Sequence, residues 1–178
     1  MSQGGVSMKA AAYSATERTR NGAPLDIRAL RTADRAEMLA AVGRFSKETL
    51  YRRFFAPKRH FSEREIDFFL NVDFKDHVAL VAVLSEAGGA MIVGGARYVV
   101  CGSGRAEVAF AVDDLHQKLG IATHLIVHLI RIARAAELKE LIAEVLPENA
   151  PMLKVFERCG LAMTTRRDRG VLHVTLAL

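Results

Sequence analysis

The chain has 178 residues, 51% of them hydrophobic and 25% charged, with a formal net charge of +5 at pH 7. That length suits one sizeable core rather than two ordinary domains, and two cysteines, Cys101 and Cys159, are too few for a disulfide framework and read as reduced core thiols. No run of about 18 apolar residues is present to span a membrane, and the first 30 residues lack the apolar stretch of a signal peptide, so a cytoplasmic protein with no membrane partner is expected.

The charge is unevenly placed. Residues 1–60 carry 12 Lys/Arg against 5 Asp/Glu, and the remainder 13 against 15. A basic end of this kind attracts nucleic acid, an acidic partner or the phosphates of a cofactor. No aromatic–basic interleaving or base-reading motif accompanies it, so nucleic acid is not expected as a partner.

Residues 1–24 are rich in Ser, Ala, Gly and Thr without a sustained period, and are expected to form a disordered or loosely attached tail outside a domain at 25–178. Residues 25–30 alternate as a first strand. Thr32 and Asp34 offer N-cap chemistry for a helix to about Val42. Ser46 caps a second helix, ended by Pro57, that turns Leu50, Phe54 and Phe55 inward and Arg52 and Arg53 outward, where they bind a phosphate or an acidic substrate or are simply solvated. Ser62 followed three residues later by Glu65 reads as a capping box for a third helix over Glu63–Leu70.

Residues 77–85 are almost continuously apolar, as a strand covered on both faces is. A turn at 86–89 leads into a strand at 90–101, in which Gly94-Gly95 marks a bulge or a close approach of substrate, and 102–104 turns again into a strand at 107–112. The long helix that follows carries Ala122, Leu125, Ile126, Leu129, Ile130, Ala133 and Ala136 at helical spacing, leaving His124 and His128 on a solvated face. With Leu125 where H-E-x-x-H needs its glutamate, no metal is expected. Residues 139–146 form a fifth strand, 149–159 a helix closed by Gly160, and 161–166 pairs with 171–178 across a turn at 168–170. The fold class is α+β, a mixed sheet with helices on both faces.

Residues 106–123 run from a buried strand through Asp113 and Asp114, which suit capping, into a helix entered through small residues. Such a loop exposes unpaired backbone N–H groups at the positive end of a helix dipole, an anion site most naturally filled by phosphate. At Gln117-x-x-Gly120-x-Ala122 the chain resembles the Q/R-x-x-G-x-G/A signature of the GNAT acyltransferase superfamily, whose loop cradles the pyrophosphate of acyl-CoA. The element order, and a second match from Asn149-Ala150-Pro151-Met152 through Phe156-x-x-Cys159-Gly160-Leu161, extend the resemblance over residues 25–178. Residues 46–55 (SKETLYRRFF) and Asn71-Val72-Asp73 are more particularly similar to the acetyltransferase domain of bacterial Pat-type protein lysine acetyltransferases. Those proteins are often fused to an acyl-CoA-synthetase-like or cyclic-nucleotide-binding domain, which has no counterpart in these residues.

The resemblance implies a GNAT fold: a mostly antiparallel mixed sheet whose fourth and fifth strands, 107–112 and 139–146, are parallel and splay apart to admit acetyl-CoA as co-substrate. It implies that Gln117, Lys118, Leu119, Gly120, Ile121, Ala122 and Thr123 surround the pyrophosphate, and that Asn149, Met152 and Phe156 lie along the pantetheine arm. Backbone N–H groups of Ala111 and Val112, in a bulged fourth strand, would receive the oxyanion. An amine acceptor, a protein lysine ahead of a small-molecule amine, is mostly ammonium at neutral pH and needs a base. Glu107 is the one carboxylate in the core strand, flanked by Val108, Ala109 and Phe110, where burial would disfavour its charged form and suit it to that task; it also matches the glutamate that serves as base in Pat-like enzymes. The plain alternative is a glutamate facing water at a strand start. Phe156 stands where many members place a tyrosine as general acid, so either the thiolate leaves unaided or Thr123 or Tyr98 donates. The expected function is transfer of acetyl from acetyl-CoA to a primary amine by a monomer or homodimer, with a non-catalytic acyl-CoA sensor as the alternative from another class.

Overall fold

The computed structural model describes residues 9–58, 60–86 and 89–178. The apolar run predicted as a doubly covered strand is β3 (His77–Glu86), and it pairs antiparallel with β4 (Gly89–Gly102), which pairs with β5 (Arg105–Val112). Because successive side chains of a strand point to opposite faces, the run divides between two cores. Val78, Leu80, Ala82 and Leu84 join one with the long helix α4 (Ile121–Ala135) and α5 (Ala150–Glu157); Ala79, Val81 and Val83 join the other with α1 (Arg35–Gly43) and α3 (Glu63–Leu70). Between α1 and α3 lies α2 (Lys47–Phe54). The remaining strands are β1 (Ser14–Arg18), β2 (Pro24–Ala29), β6 (Glu140–Val145), β7 (Ala162–Asp168) and β8 (Val171–Ala177).

The described residues form one eight-stranded sheet in the order β1-β2-β3-β4-β5-β6-β8-β7. Its parallel pairing is β5 with β6, and that register lasts only from Arg105↔Glu140 to Glu107↔Ile142 before the strands part. Leu125, Ile126 and Leu129 of α4 are fully buried beneath the sheet; each such side chain stabilises the fold by about 1.5–3 kcal/mol. Among the described residues no helix is long and apolar enough to cross a membrane.

Local chemistry sets the element ends. Ser62 Oγ accepts from Glu65 N at 3.3 Å while the Glu65 carboxylate accepts from Ser62 N at 2.9 Å, the reciprocal box read from the sequence. Ser46 Oγ accepts from Thr49 N at 3.1 Å and starts α2. Arg169 and Gly170, with φ of 45° and 86°, give β7 and β8 the doubly left-handed turn that suits a two-residue hairpin. The turn expected at 86–89 includes Ala87 and Gly88, which lie outside the described residues.

Several expectations are corrected. Residues 14–18 are not a tail: they pair with β2 from Ser14↔Arg28 to Arg18↔Pro24, so the ordered unit begins before residue 25, while residues 1–8 lie outside the described residues. The strand has no large apolar residue because it is an edge whose neighbour supplies the hydrogen-bond ladder. Its side chains also bury the histidine face of α4. His128 is 1% exposed, with Nδ1 bonded to the Tyr13 hydroxyl and Nε2 to Glu17 Oε1 at 2.9 Å, and His124 Nε2 donates to the Arg18 carbonyl at 3.0 Å. Helix α2 stops at Phe54, where Phe55 adopts φ 55° two residues before Pro57. Phe55 is exposed, and Arg53, three residues after the buried Leu50 on the same face of α2, is half-buried and faces the sheet. Cys101 is exposed at the register shift between Val100 and Gly102, rather than in the core, and Cys159 is half-buried.

Candidate active site

Where β5 and β6 part after Glu107 and Ile142, the edge of β5 opens on a cleft of about 420 Å³ that runs to the start of α4 and along α5. The turn at the end of β5 is held by its two acids. Asp113 is fully buried; its carboxylate accepts from Leu115 N at 3.0 Å and pairs with the guanidinium of Arg44, which also donates to the Ile92 carbonyl. Asp114 accepts from Ser46 N at 2.8 Å, Ser46 Oγ at 2.7 Å and Thr49 Oγ1 at 3.0 Å. Burial pushes the Asp114 carboxyl up, but these donors outweigh it and hold the group below its ordinary value. Both acids are therefore spent on α1 and α2.

The N-terminus of α4 is left without a side-chain cap and without an acid in its first turn. Left-handed backbone at Lys118 (φ 65°) and Gly120 (φ 87°) curls the preceding loop, and turns of this kind aim successive N–H groups at an anion. They adjoin the unsatisfied N–H groups of the first turn of α4. Arg20, which follows β1, braces the loop: its N–H donates to the Leu119 carbonyl at 3.0 Å and its Nη1 to the Lys118 carbonyl at 3.0 Å. The arrangement fits a phosphate group.

At the other end, cross-strand pairing places His77, Val99 and Glu107 in one row on the α1–α3 face, Ala79, Arg97 and Ala109 in the next, and Val81, Gly95 and Ala111 in the third. Glu107 is exposed, not desolvated: its flanking Val108 and Phe110 point to the opposite face of the strand. Opposite it, Arg53 of α2 sits 4.7 Å from the Phe54 ring centroid. Burial pushes the Arg53 guanidinium below its ordinary value, against the pull of the Glu107 carboxylate. Arg97 donates from Nη1 to His77 Nε2 at 2.9 Å and from Nη2 to the Phe69 carbonyl at 3.3 Å. Burial, with the charge of Arg53, pushes Arg97 down to about 9, and burial, with Arg97, pushes His77 down to about 4 against Asp73.

Of the residues expected at the site, Glu107, Ala111, Val112, Gln117, Lys118, Gly120, Ile121, Ala122, Thr123, Asn149, Met152 and Phe156 line the cleft. Leu119 does not; its side chain packs against the core and its carbonyl serves Arg20. The Gln117 amide donates to Thr49 Oγ1 at 3.2 Å and to the Val112 carbonyl at 3.3 Å, tying the loop to α2. Asn149 Oδ1 accepts from Met152 N at 3.3 Å as the cap of α5, which leaves its amide N–H₂ to the cleft. Phe156 is buried edge-on against Phe110. Tyr98 is in the core, 1% exposed, with burial pushing its hydroxyl up to about 12, and it does not line the cleft. The bulge expected in the 107–112 strand is in β4 instead: Ala82↔Gly94 is followed by Val83↔Ile92, while β5 stays regular through Gly95↔Ala111 and Gly94↔Val112. A Cβ on Gly94 would meet the Ala111 carbonyl oxygen at 3.0 Å, so the two strands approach too closely there for a side chain. Arg20 lies in the segment expected to be a tail and so was not among the candidates, whereas Arg53, a candidate ligand of a phosphate or an acidic substrate, lines the cleft from an inward and not an outward position.

A parallel strand pair that parts beside an uncapped helix N-terminus, with a carboxylate at the far end of the opening, is the architecture of an acyl-CoA acyltransferase. The chain belongs to the Acetyltransferase (GNAT) family, which it matches over residues 46–161. It is 36% identical over 129 residues to acetyltransferase Pat of Mycolicibacterium smegmatis, 71% of this chain and 38% of Pat, so it spans well under half of that relative. It is 30% identical over 143 residues to acetyltransferase PA5475 of Pseudomonas aeruginosa, 80% of this chain and 76% of that one. The crystal structure of the GNAT domain of S. lividans PAT superposes with a TM-score of 0.84 at 32% identity, covering 93% of this chain and 97% of that domain. The family so matched is one of acetyltransferases, and both of these curated relatives bear that name.

Proposed function

We propose that the protein transfers acetyl from acetyl-CoA to a primary amine, a protein lysine, with Glu107 as general base. The observation that carries this reading is a single cleft with the uncapped start of α4 at one end and Glu107 at the other. The N–H groups of residues 118–123 hold the pyrophosphate, and Asn149 with Met152 the pantetheine arm. Glu107 takes the ammonium proton, directly or through one water, and the free amine attacks the thioester carbonyl. N–H groups on the open edge of β5, around Ala111 and Val112, receive the oxyanion. The adduct nitrogen releases its second proton to solvent and the adduct collapses to the amide and a thiolate, a leaving group that needs no acid because a thiol has a pKa of about 8.5; the thiolate then takes up a proton. Thr123, in the cleft, is the hydroxyl available to protonate it. The lysine acceptor rests on the resemblance of residues 46–55 and Asn71-Val72-Asp73 to Pat-type protein lysine acetyltransferases.

A second reading, a binder of acetyl-CoA that does not turn it over, is favoured by Phe156, which has no proton to give. Incubating the protein with labelled acetyl-CoA and a cell lysate separates the two. Label in protein supports the proposal, label only in small molecules replaces the acceptor, and binding without transfer favours the second reading.

A further inference from the structure

Beside Glu107 the cleft opens into a second cavity of about 100 Å³ between the sheet and α1–α3. It exists because the sheet residues beneath it, Gly95, Ala79, Ala109 and Ala111, are small, while Phe54, Phe61 and Phe69 close it from above. It shares Arg53, Ala109, Phe110 and Ala111 with the cleft, so it is entered from the end at which the acetyl group would lie. A water occupies about 10–15 Å³ of such space, so a short carbon chain with a terminal polar group can be held.

Its polar lining is cationic. Arg97 spends two nitrogens on neutral or weakly basic partners, His77 and the Phe69 carbonyl, and lies over the Phe69 ring at 4.7 Å. Arg53 stacks on Phe54, and among the described residues it makes no hydrogen bond and no ion pair. Its nitrogens still reach solvent, so they are open to a ligand in the cavity, and one that displaces that water must match their donors. Glu107 is the carboxylate whose charge acts on Arg53, and it loses that charge when it takes the amine proton. The planar fork of arginine matches a carboxylate in a bidentate geometry, and apolar surroundings strengthen that contact. The phosphates would lie at the opposite end of the cleft, at residues 118–123.

Resting on the donor reading above, we propose that this cavity takes a substrate carboxylate, held by Arg53 with Arg97 behind it. The carboxylate is carried either on the acyl chain of the donor, as in succinyl-CoA, or on the acceptor next to its amine. Chemistry at the thioester is unchanged; the carboxylate remains intact and selects the substrate.

Two arms distinguish the sources. In one, calorimetry compares succinyl-CoA with acetyl-CoA. In the other, acetyl-CoA is the donor and kcat/KM is compared for lysine peptides that differ only in Glu or Gln beside the lysine. Each ratio is measured within the wild type and within Arg53→Gln, so a general loss of affinity cancels, and thermal melting checks folding. A preference of roughly tenfold or more for the carboxylate in one arm is expected, falling below about twofold in Arg53→Gln and partly kept by Arg53→Lys. No preference in either arm, or a preference that survives Arg53→Gln, overturns the proposal. If acetyl-CoA binds normally and no preference exists, only this inference falls; if acetyl-CoA does not bind, the donor reading falls with it.

Discussion

Substituting Gly120 tests the phosphate loop at its tightest point. The residue has φ 87° and ψ 0°, and an added Cβ would lie 3.6 Å from Arg20 Cγ and 3.7 Å from Arg20 Nε, which is ordinary contact. Steric clash therefore contributes little, and the cost is the backbone's: about 1–2 kcal/mol for an L-residue held left-handed. A loop that relaxes to escape this strain turns its N–H groups away from the anion, and each hydrogen bond to a charged oxygen is worth about 1.5–3 kcal/mol. Gly120→Ala should lower acetyl-CoA affinity by about 5- to 30-fold, the factor equivalent to that strain. Gly120→Val, whose branched Cβ tolerates the region worse, should lose about 100-fold or more. Calorimetry reads the affinity, and thermal melting should show a loss of about 2–8 °C. S-acetylpantetheine, which lacks the phosphates, is the control and should be affected far less. Unchanged affinity in a folded Gly120→Val protein, or an equal loss for both ligands, would refute the role given to the loop.

Three further outcomes follow from the same geometry. Asp113→Ala leaves Arg44 without its buried partner and should destabilise the fold by about 3–5 kcal/mol in urea titration, where a loss under about 1 kcal/mol would contradict the pairing. Asp114→Ala releases Ser46 and Thr49 and should cost about 1–3 kcal/mol while raising the KM for acetyl-CoA, because α2 then no longer braces residues 114–117; a stability loss with unchanged KM would separate the two effects. His77, 7% exposed, has its folded pKa lowered from 6.5 to about 4, so the unfolded chain binds more protons between those values. Its contribution is full above pH 6.5 and is lost as pH falls toward 4, about 3 kcal/mol in all. His77→Gln should flatten that slope in part, because burial lowers His128 in the same direction, and an unchanged slope would refute the assignment.

Features carried by local chemistry were legible in the sequence. The Ser62–Glu65 box, the Ser46 cap, the Asp168–Gly170 turn region and the loop from Gln117 to Ala122 each depend on residues a few positions apart. What escaped depends on partners far along the chain. SATER has no apolar alternation and a single strand former, Thr16, and becomes a strand because β2 offers it a ladder. Missing it left His128 on a face that seemed solvated, 111 residues from the Glu17 that binds it, and left Arg20 outside the site it braces. Arg53 follows the buried Leu50 by three residues on one face of α2, so its inward direction was legible in the helical spacing, and only its stacking on Phe54 beside Glu107 depends on the fold. The burial assigned to Glu107 from its neighbours failed because a strand sends adjacent side chains to opposite faces.

Glu107 is proposed to remove the amine proton in a cleft whose other end holds acetyl-CoA. Glu107→Gln keeps the shape and loses the base, so acetyl-CoA affinity and amine-dependent thiol release should be measured on the same preparation. Affinity within about twofold of wild type, with release reduced about 10²- to 10⁴-fold, is the predicted result. Equal release by both proteins would refute the role of Glu107 as base.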